Sequence, residues 1–241
     1  MKKKLTRMKK MIFRFFAYFL LSRVAWQDDD IRGRKVVVVG SAPVSLPPVD
    51  YDESYLVMSV NASQIVAKRW GCIKPDISLM MFNQIEGTNT NAREVRRVLN
   101  GERTGKLYVL TWKHGVPRLI KGLAEFNYQY DSLEIISRNR RVDLVKKMTG
   151  KLNFEVSDEQ KYSNGVIGVM LALRSGAKRV IISGINPASA GHIYNSENLH
   201  RKHKGPDMDA LRHMQKLGLP VYTADPEVAK ATGLPLWTGE A

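Results

Sequence analysis

The sequence predicts an α/β fold: a single Rossmann-like domain with a mainly parallel sheet, helices on both faces and a lid segment, preceded by an N-terminal amphipathic helix. Two stretches predict the sheet. Lys-Val-Val-Val-Val at 35–39 and Arg-Val-Ile-Ile-Ser at 179–183 are unbroken β-branched runs of the kind that suits parallel strands covered on both faces. A third stretch predicts the helix that feeds the second run. Ser163 and Asn164 are N-cap residues, Gly165 lets the backbone turn, and Val166, Ile167, Val169, Met170, Leu171 and Leu173 fill a helix too apolar to face water, stopped by Ser175-Gly176. The strand ends in Gly184-Ile185-Asn186. Open α/β sheets bind ligands just beyond the carboxyl ends of their strands, so the polar segment that follows is the first place to look for chemistry. Taken alone, the same stretch also reads as an ordinary buried helix and strand with a surface loop.

At 241 residues the chain is long enough for one good core. Its formal net charge of +15 implies anionic company: nucleic acid, an acidic membrane surface or a phosphorylated substrate. The distribution narrows that choice. Lys2, Lys3, Lys4, Arg7, Lys9 and Lys10 crowd the amino terminus and the remaining excess is scattered, without the interleaved aromatics of a single-strand groove, so no nucleic-acid partner is expected. The single cysteine, Cys72, has no partner for an internal disulfide and no Cys or His neighbours at metal spacing, which fits a reducing compartment.

Residues 1–26 differ from everything after them. A basic run leads into Met11–Leu21, an apolar stretch interrupted by Arg14 and well short of the roughly twenty residues of a spanning helix. No small-residue cleavage pattern follows it. A basic amphipathic helix lying on an anionic membrane surface explains both features; a helix packed on the protein's own surface is the alternative. Residues 27–34, with Asp28-Asp29-Asp30, read as a solvated linker, and residues 35–241 as the α/β domain.

The domain opens with the strand at 35–39 and a tight turn of small residues, Gly40-Ser41-Ala42-Pro43, where a nucleotide can come close although the turn matches neither G-x-G-x-x-G nor a Walker loop. A second strand, Ser54 to Val60, ends in Asn61-Ala62-Ser63 and leads to a helix from Gln64 to Trp70. A third, Asp76 to Phe82, ends in Asn83. An amide at a strand's carboxyl end either caps a helix or reads a base and ribose through paired donors and acceptors. A helix from Thr90 to Asn100, a strand at Lys106 to Trp112, a helix near Val116 to Glu125 and a basic helix at Arg138 to Met148 read as plain scaffold. The alternation continues through Gly184, returns at Pro220-Val221-Tyr222, and closes with a helix at Glu227 to Ala231.

The lid segment, about 186–206, carries His192, Tyr194, His200 and His203 among Arg201, Lys202 and Lys204. Histidine is the natural proton acceptor at neutral pH, and lysine or arginine beside it can hold phosphate. The histidine spacings do not match the i, i+4 pair of a zincin, so no metal is expected. A solvated basic loop is the alternative. Among the histidines His203 ranks first, because it stands closest to a helix read to begin at Asp207, which fixes its position, with Pro206 stiffening the approach.

The order of these pieces resembles the bacterial sialyltransferases of glycosyltransferase family 42. That family begins with strand-G-N-G-P-S, where this chain has Gly40-Ser41-Ala42-Pro43-Val44; it places an Asn after the second strand, as Asn61, and another after the third, as Phe82-Asn83. Its Ser/Thr-Ser-Gly helix start is similar to Ser163-Asn164-Gly165, its Ser-Gly-Ile-Asp to Ser183-Gly184-Ile185-Asn186, its phosphate tyrosine to Tyr194, and its histidine before D-x-x-A-L to His203 before Asp207-Met208-Asp209-Ala210-Leu211. The resemblance implies a glycosyltransferase that uses CMP-sialic acid or a similar sugar nucleotide as substrate, with no metal or other cofactor. His203 and Tyr194 would be catalytic, as general base and as donor to the departing phosphate. Gly40, Ser41, Ala42, Asn61, Asn83, Ser163, Asn164, Gly165, Gly184 and Asn186 would bind the nucleotide. The acceptor would be a cell-envelope glycan or glycolipid such as lipopolysaccharide, the place of work the cytoplasmic face of the inner membrane, and a homo-oligomer is compatible with this reading. The chain departs from the pattern at Ser41, Ala42, Asn164 and Asn186, and has Ala188 where the family has a second phosphate tyrosine. A related enzyme with another nucleotide donor, or a non-catalytic envelope protein that retains the fold, are the alternatives.

Overall fold

The computed structural model describes residues 2–20, 25–189, 191–195 and 203–239. Its strands are β1 (Lys35–Val39), β2 (Leu56–Val60), β3 (Ile77–Met81), β4 (Arg103–Leu110), β5 (Gln129–Ile136), β6 (Arg179–Ser183) and β7 (Val221–Thr223). They form one seven-stranded sheet in the order β5-β4-β3-β2-β1-β6-β7, every neighbouring pair parallel. The chain steps outward from β1 to β5 and then returns to the other side of β1. The switch point is therefore the crevice between β1 and β6, where such sheets place their ligands.

The helices are α1 (Lys2–Leu20), α2 (Gln64–Lys68), α3 (Phe82–Glu86), α4 (Thr90–Leu99), α5 (Val116–Ala124), α6 (Arg138–Thr149), α7 (Asn164–Arg174), α8 (Lys204–Lys216) and α9 (Pro226–Thr232). Alternate residues of each strand enter different cores, as the period of two requires. Val36, Val38, Met58, Leu79 and Ile182 pack with Val166 and Met170 of α7. Val37, Val39, Val57 and Ile181 pack with Val66 and Ala67 of α2 on the other face. On α7, a Cβ at Gly168 would lie 3.0 to 3.2 Å from the Val38, Met58 and Leu79 side chains, so an alanine there would press those side chains by a few tenths of an ångström.

Several expectations are corrected. The sequence assigns no strand between the helix near 116–125 and the helix at 138–148, yet β5 is there; it is an outer strand, and Gln129, Asp131 and Ser132 stay exposed, so its sequence lacks the apolar run of a central strand. Residues 27–34 are not a solvated linker. Ile31 is fully buried, and Asp28, 4 % exposed, accepts hydrogen bonds from Lys106 Nζ (2.8 and 2.9 Å) and Tyr108 Oη (2.7 Å). Of the three aspartates Asp28 alone is drawn inward, because β4 supplies a cation and a phenol for it, while Asp29 and Asp30 stay exposed. Residues 1–26 do not all stand outside the core either: Trp26 and Tyr18 are buried. Finally, α8 starts at Lys204 rather than Asp207, because Pro206 falls in its first turn, where a missing N–H costs no hydrogen bond.

Only one side of α1 meets the body. Arg14 Nη1 donates to the carbonyls of Phe154 (2.7 Å) and Glu155 (2.6 Å), Asn139 donates to Ala17 O (3.1 Å), and Tyr18 Oη pairs with Asp143 (3.2 Å). Phe13, Phe16 and Leu20 remain exposed, as do Arg7, Lys9 and Lys10. Among the described residues no helix is long and apolar enough to cross a membrane.

Candidate functional site

A cavity of about 470 Å³ opens at the carboxyl edge of the sheet over the switch point. Its floor is made by two turns packed against each other. Gly40, directly after β1, donates to Ser183 O (2.7 Å), and the next turn residue but one, Ala42, donates to Gly184 O (2.9 Å). A Cβ on Gly40 would collide with the Gly184 carbonyl, and Gly184 itself sits at φ +64, which glycine adopts without strain. Beneath both turns lies Asp225, 1 % exposed, whose carboxylate accepts from Gly184 N (2.6 Å) and Leu46 N (2.8 Å). Burial pushes that carboxyl up, against the pull of those two backbone N–H groups. One buried side chain thus fixes the loop after β1 relative to the turn after β6.

Asn61 and Asn83 reach the same cavity from the ends of β2 and β3. Asn61 has φ 51, a left-handed conformation that asparagine tolerates better than most residues, and its Oδ1 accepts from Met81 N (3.1 Å). That bond ties the two strand ends together. Asn83 lies in the first turn of α3. From α7 come Ser163, Asn164 and Gly165; Ser163 Oγ caps the helix by accepting from Val166 N (3.3 Å), and its own N–H donates to Asp207 (2.8 Å).

The described part of the lid folds over the turn after β1. Ile193 N donates to Ser41 O (2.9 Å), Ser41 Oγ and His192 Nδ1 lie 2.7 Å apart, and the His192 and Tyr194 rings stack at 5.1 Å. Both rings line the cavity, and so does His203 at the N-cap of α8. His203 Nδ1 is 3.1 Å from Lys161 O. A carbonyl only accepts, so Nδ1 carries the proton and Nε2 is the proton-accepting nitrogen of the neutral ring. His200 lies outside the described residues.

Of the residues expected at the nucleotide, Gly40, Ser41, Asn61, Asn83, Ser163, Asn164, Gly165 and Gly184 line the cavity, together with Tyr194 and His203. Ala42 and Asn186 do not. Ala42 is buried with its N–H tied to Gly184, and the Asn186 side chain accepts from Ala188 N (2.9 Å), so each is used in shaping its own turn. The sequence reading missed a second group, Arg138, Arg141, Glu155 and Lys161. The signal for Arg138 was present: Ile135-Ile136 is followed by Ser137, whose side chain caps α6 by accepting from Arg140 N (3.3 Å), so Arg138 also sits just past the carboxyl end of a strand. Among the described residues there is no group of three or more His, Cys, Asp and Glu placed to hold a metal ion.

Neither a protein-family model nor a curated protein matches the sequence. Solved structures do. The sialyltransferase CstII from Campylobacter jejuni, in complex with the substrate analogue CMP-3FNeuAc, is similar at a TM-score of 0.53 and 18 % identity, over 85 % of this chain and 86 % of that one. CstII with a trisaccharide acceptor and CMP is similar at 0.54 and 16 %, over 86 % and 89 %. The monofunctional α-2,3-sialyltransferase Cst-I from Campylobacter jejuni is similar at 0.56 and 13 %, over 90 % and 84 %. At these identities the likeness is one of architecture: the chain has the α/β fold of these sialyltransferases.

Proposed function

We propose that this chain is a sialyltransferase-like glycosyltransferase that moves a sugar from a CMP-activated donor to a glycan or glycolipid acceptor without a metal. The observation that carries the reading is convergence. The turn after β1, Asn61, Asn83, the start of α7, Tyr194 and His203 come from separate parts of the chain and line one cavity at the switch point. They do so in a fold whose solved relatives include CMP complexes. In this reading the turn after β1 and the two asparagines hold the nucleotide. His203 Nε2 takes the proton of the acceptor hydroxyl as its oxygen attacks the anomeric carbon; the bond from that carbon to the phosphate oxygen breaks, and CMP leaves with the electron pair. The Tyr194 hydroxyl donates to the phosphate where charge develops. The Lys161 carbonyl holds the His203 ring in the tautomer that the step needs.

One observation favours a second reading. Ala188 stands where the resembled family has its second phosphate tyrosine, and it does not line the cavity. A chain that binds the nucleotide without transferring sugar fits that loss. Calorimetry with CMP and CMP-sialic acid, followed by a transfer assay on envelope glycans, separates the two. Binding with transfer supports the enzyme, binding without transfer the second reading, and absence of binding removes both.

The same proposal puts the protein on the cytoplasmic face of the inner membrane as a peripheral protein. Its support is α1, which meets the body through Arg14, Ala17 and Tyr18 and leaves Phe13, Phe16 and Leu20 exposed alongside basic residues. Sedimentation with anionic vesicles, lost on adding salt or on replacing Phe13 and Phe16 by serine, is the expected behaviour.

A further inference from the structure

The cavity is lined by more basic side chains than carboxylates among the described residues. Among the described residues Arg138, Arg141 and Lys161 line it, against Glu155 as the one carboxylate. Arg141 is committed to the fold. Its side chain is 1 % exposed, and it donates from Nε to Glu155 Oε1 (2.9 Å), from Nη1 to Asn164 Oδ1 (2.9 Å) and from Nη2 to Tyr162 O (2.6 Å). Arg138 differs. Its side chain keeps 24 % of its surface and approaches Glu155 Oε2 at 3.5 Å, beyond good hydrogen-bond geometry.

A third guanidinium, that of Arg14, is anchored on the Phe154 and Glu155 carbonyls and brings its charge against the same carboxylate. Burial, then repulsion from Arg14, hold the Arg138 guanidinium below its ordinary pKa, against the attraction of Glu155. Glu155 can neutralise one of these cations, and Arg141 has the shorter contact with it. A partly exposed guanidinium whose contact with Glu155 is 3.5 Å long keeps N–H donors available to a ligand in the cavity. Its planar fork matches a phosphate or a carboxylate in a bidentate pair, and such an anion would repay the surplus.

We propose that Arg138 is an anion-binding residue of the cavity, taking the phosphate or the carboxylate of an anionic sugar nucleotide. The proposal rests on the nucleotide reading above and adds to it a ligand contact from a helix that the sequence presented as scaffold. Its position supports it: Arg138 is the first residue of α6, with only Ser137 between it and the end of β5, at the same sheet edge as Gly40, Asn61 and Asn83.

The test is calorimetry on the full chain, parent against Arg138→Met and Arg138→Lys, with cytidine, CMP and CMP-sialic acid, alongside thermal melts. A phosphate contact predicts that Arg138→Met loses about ten- to a hundredfold in CMP affinity, that cytidine binding is unchanged, and that Arg138→Lys recovers part of the loss. A carboxylate contact predicts the same loss for CMP-sialic acid with CMP unchanged. Equal losses for cytidine and CMP, or no loss for any ligand the parent binds, overturn the proposal. A parent that binds no cytidine compound removes the nucleotide reading instead. Pyrophosphate then decides for Arg138: binding that Arg138→Met abolishes sustains an anion site, and no pyrophosphate binding ends it.

Discussion

The two edges of the sheet use their charged side chains in opposite ways. At the amino edge the charges answer one another: Lys106 pairs with Asp28 and Asp30 at 2.8 and 2.9 Å, Lys35 with Asp50 at 3.3 Å, Lys74 with Asp131 at 2.5 Å, and Asp76 accepts from Val57 N at 2.7 Å. Burial alone would lower the Lys106 pKa, but the hydrogen bonds that Lys106 donates to Asp28 and Asp30 more than offset it and raise it. At the carboxyl edge Arg14, Arg138 and Arg141 gather around Glu155, and His192 and His203 stand over the same cavity. A set of charges that closes on itself stabilises a fold, whereas a set left with a surplus is arranged for something that arrives later.

The largest effect should come from Arg141 and Glu155, a pair at the carboxyl edge that belongs to the fold. Replacing Arg141 by Met leaves Glu155, 3 % exposed, without its shortest charged contact, and destabilisation of about 3 to 5 kcal/mol is expected in denaturant titrations. A loss under about 1 kcal/mol would mean that Arg138 takes over the pairing, and the division between structural and ligand arginine would fail. Next in size, His203→Ala should lower sugar transfer about a hundredfold or more, roughly 2.7 kcal/mol, while CMP affinity holds. If transfer is unchanged, the base lies elsewhere in the lid. Smaller again, Asn61→Ala removes the acceptor for Met81 N in a left-handed position and should weaken cytidine-nucleotide binding by about 1 to 3 kcal/mol. Asp28→Asn at the amino edge is the control and should alter stability without touching that affinity.

What the sequence disclosed divides along the same line. Val36–Val39 and Val180–Ile182 were legible because a strand buried on both faces has no polar position to confuse the pattern. Asn61 and Asn83 were legible because they end such strands. β5 was not, since an outer strand with Gln129, Asp131 and Ser132 exposed looks like a loop. Arg138 went unread together with β5, whose end it follows, and Glu155 escaped notice for a different reason: its cluster joins α1, α6 and the loop before α7, and no local spacing records it. Asp28 was misread because three consecutive aspartates suggest solvent, and only the folded sheet brings Lys106 and Tyr108 to the first of them.

The smallest expected effect concerns pH and belongs to the amino edge. Asp50 accepts from Tyr55 Oη (2.5 Å), Trp237 Nε1 (2.6 Å) and Lys35 Nζ (3.3 Å). Burial pushes its carboxyl up, but those donors outweigh burial and bring it to about 2. A carboxyl whose folded pKa lies below its unfolded value of about 3.9 adds stability above that value and loses it as pH falls through its folded pKa, below which both states are protonated. Because the side chain is partly solvated, the contribution is of order 1 kcal/mol rather than the full linkage value. Asp50→Asn should therefore be less stable than the parent by about that amount at pH 7, with the difference shrinking as pH falls toward 2 and CMP affinity at pH 7 unaltered. Urea titrations of both proteins between pH 7 and pH 2 give the answer. Convergence of the two stability curves at low pH places Asp50 among the closed charges of the amino edge, whereas parallel curves would mean that its bonds from Tyr55 and Trp237 act through packing, and the amino edge would owe less to charge than the contrast between the two edges requires.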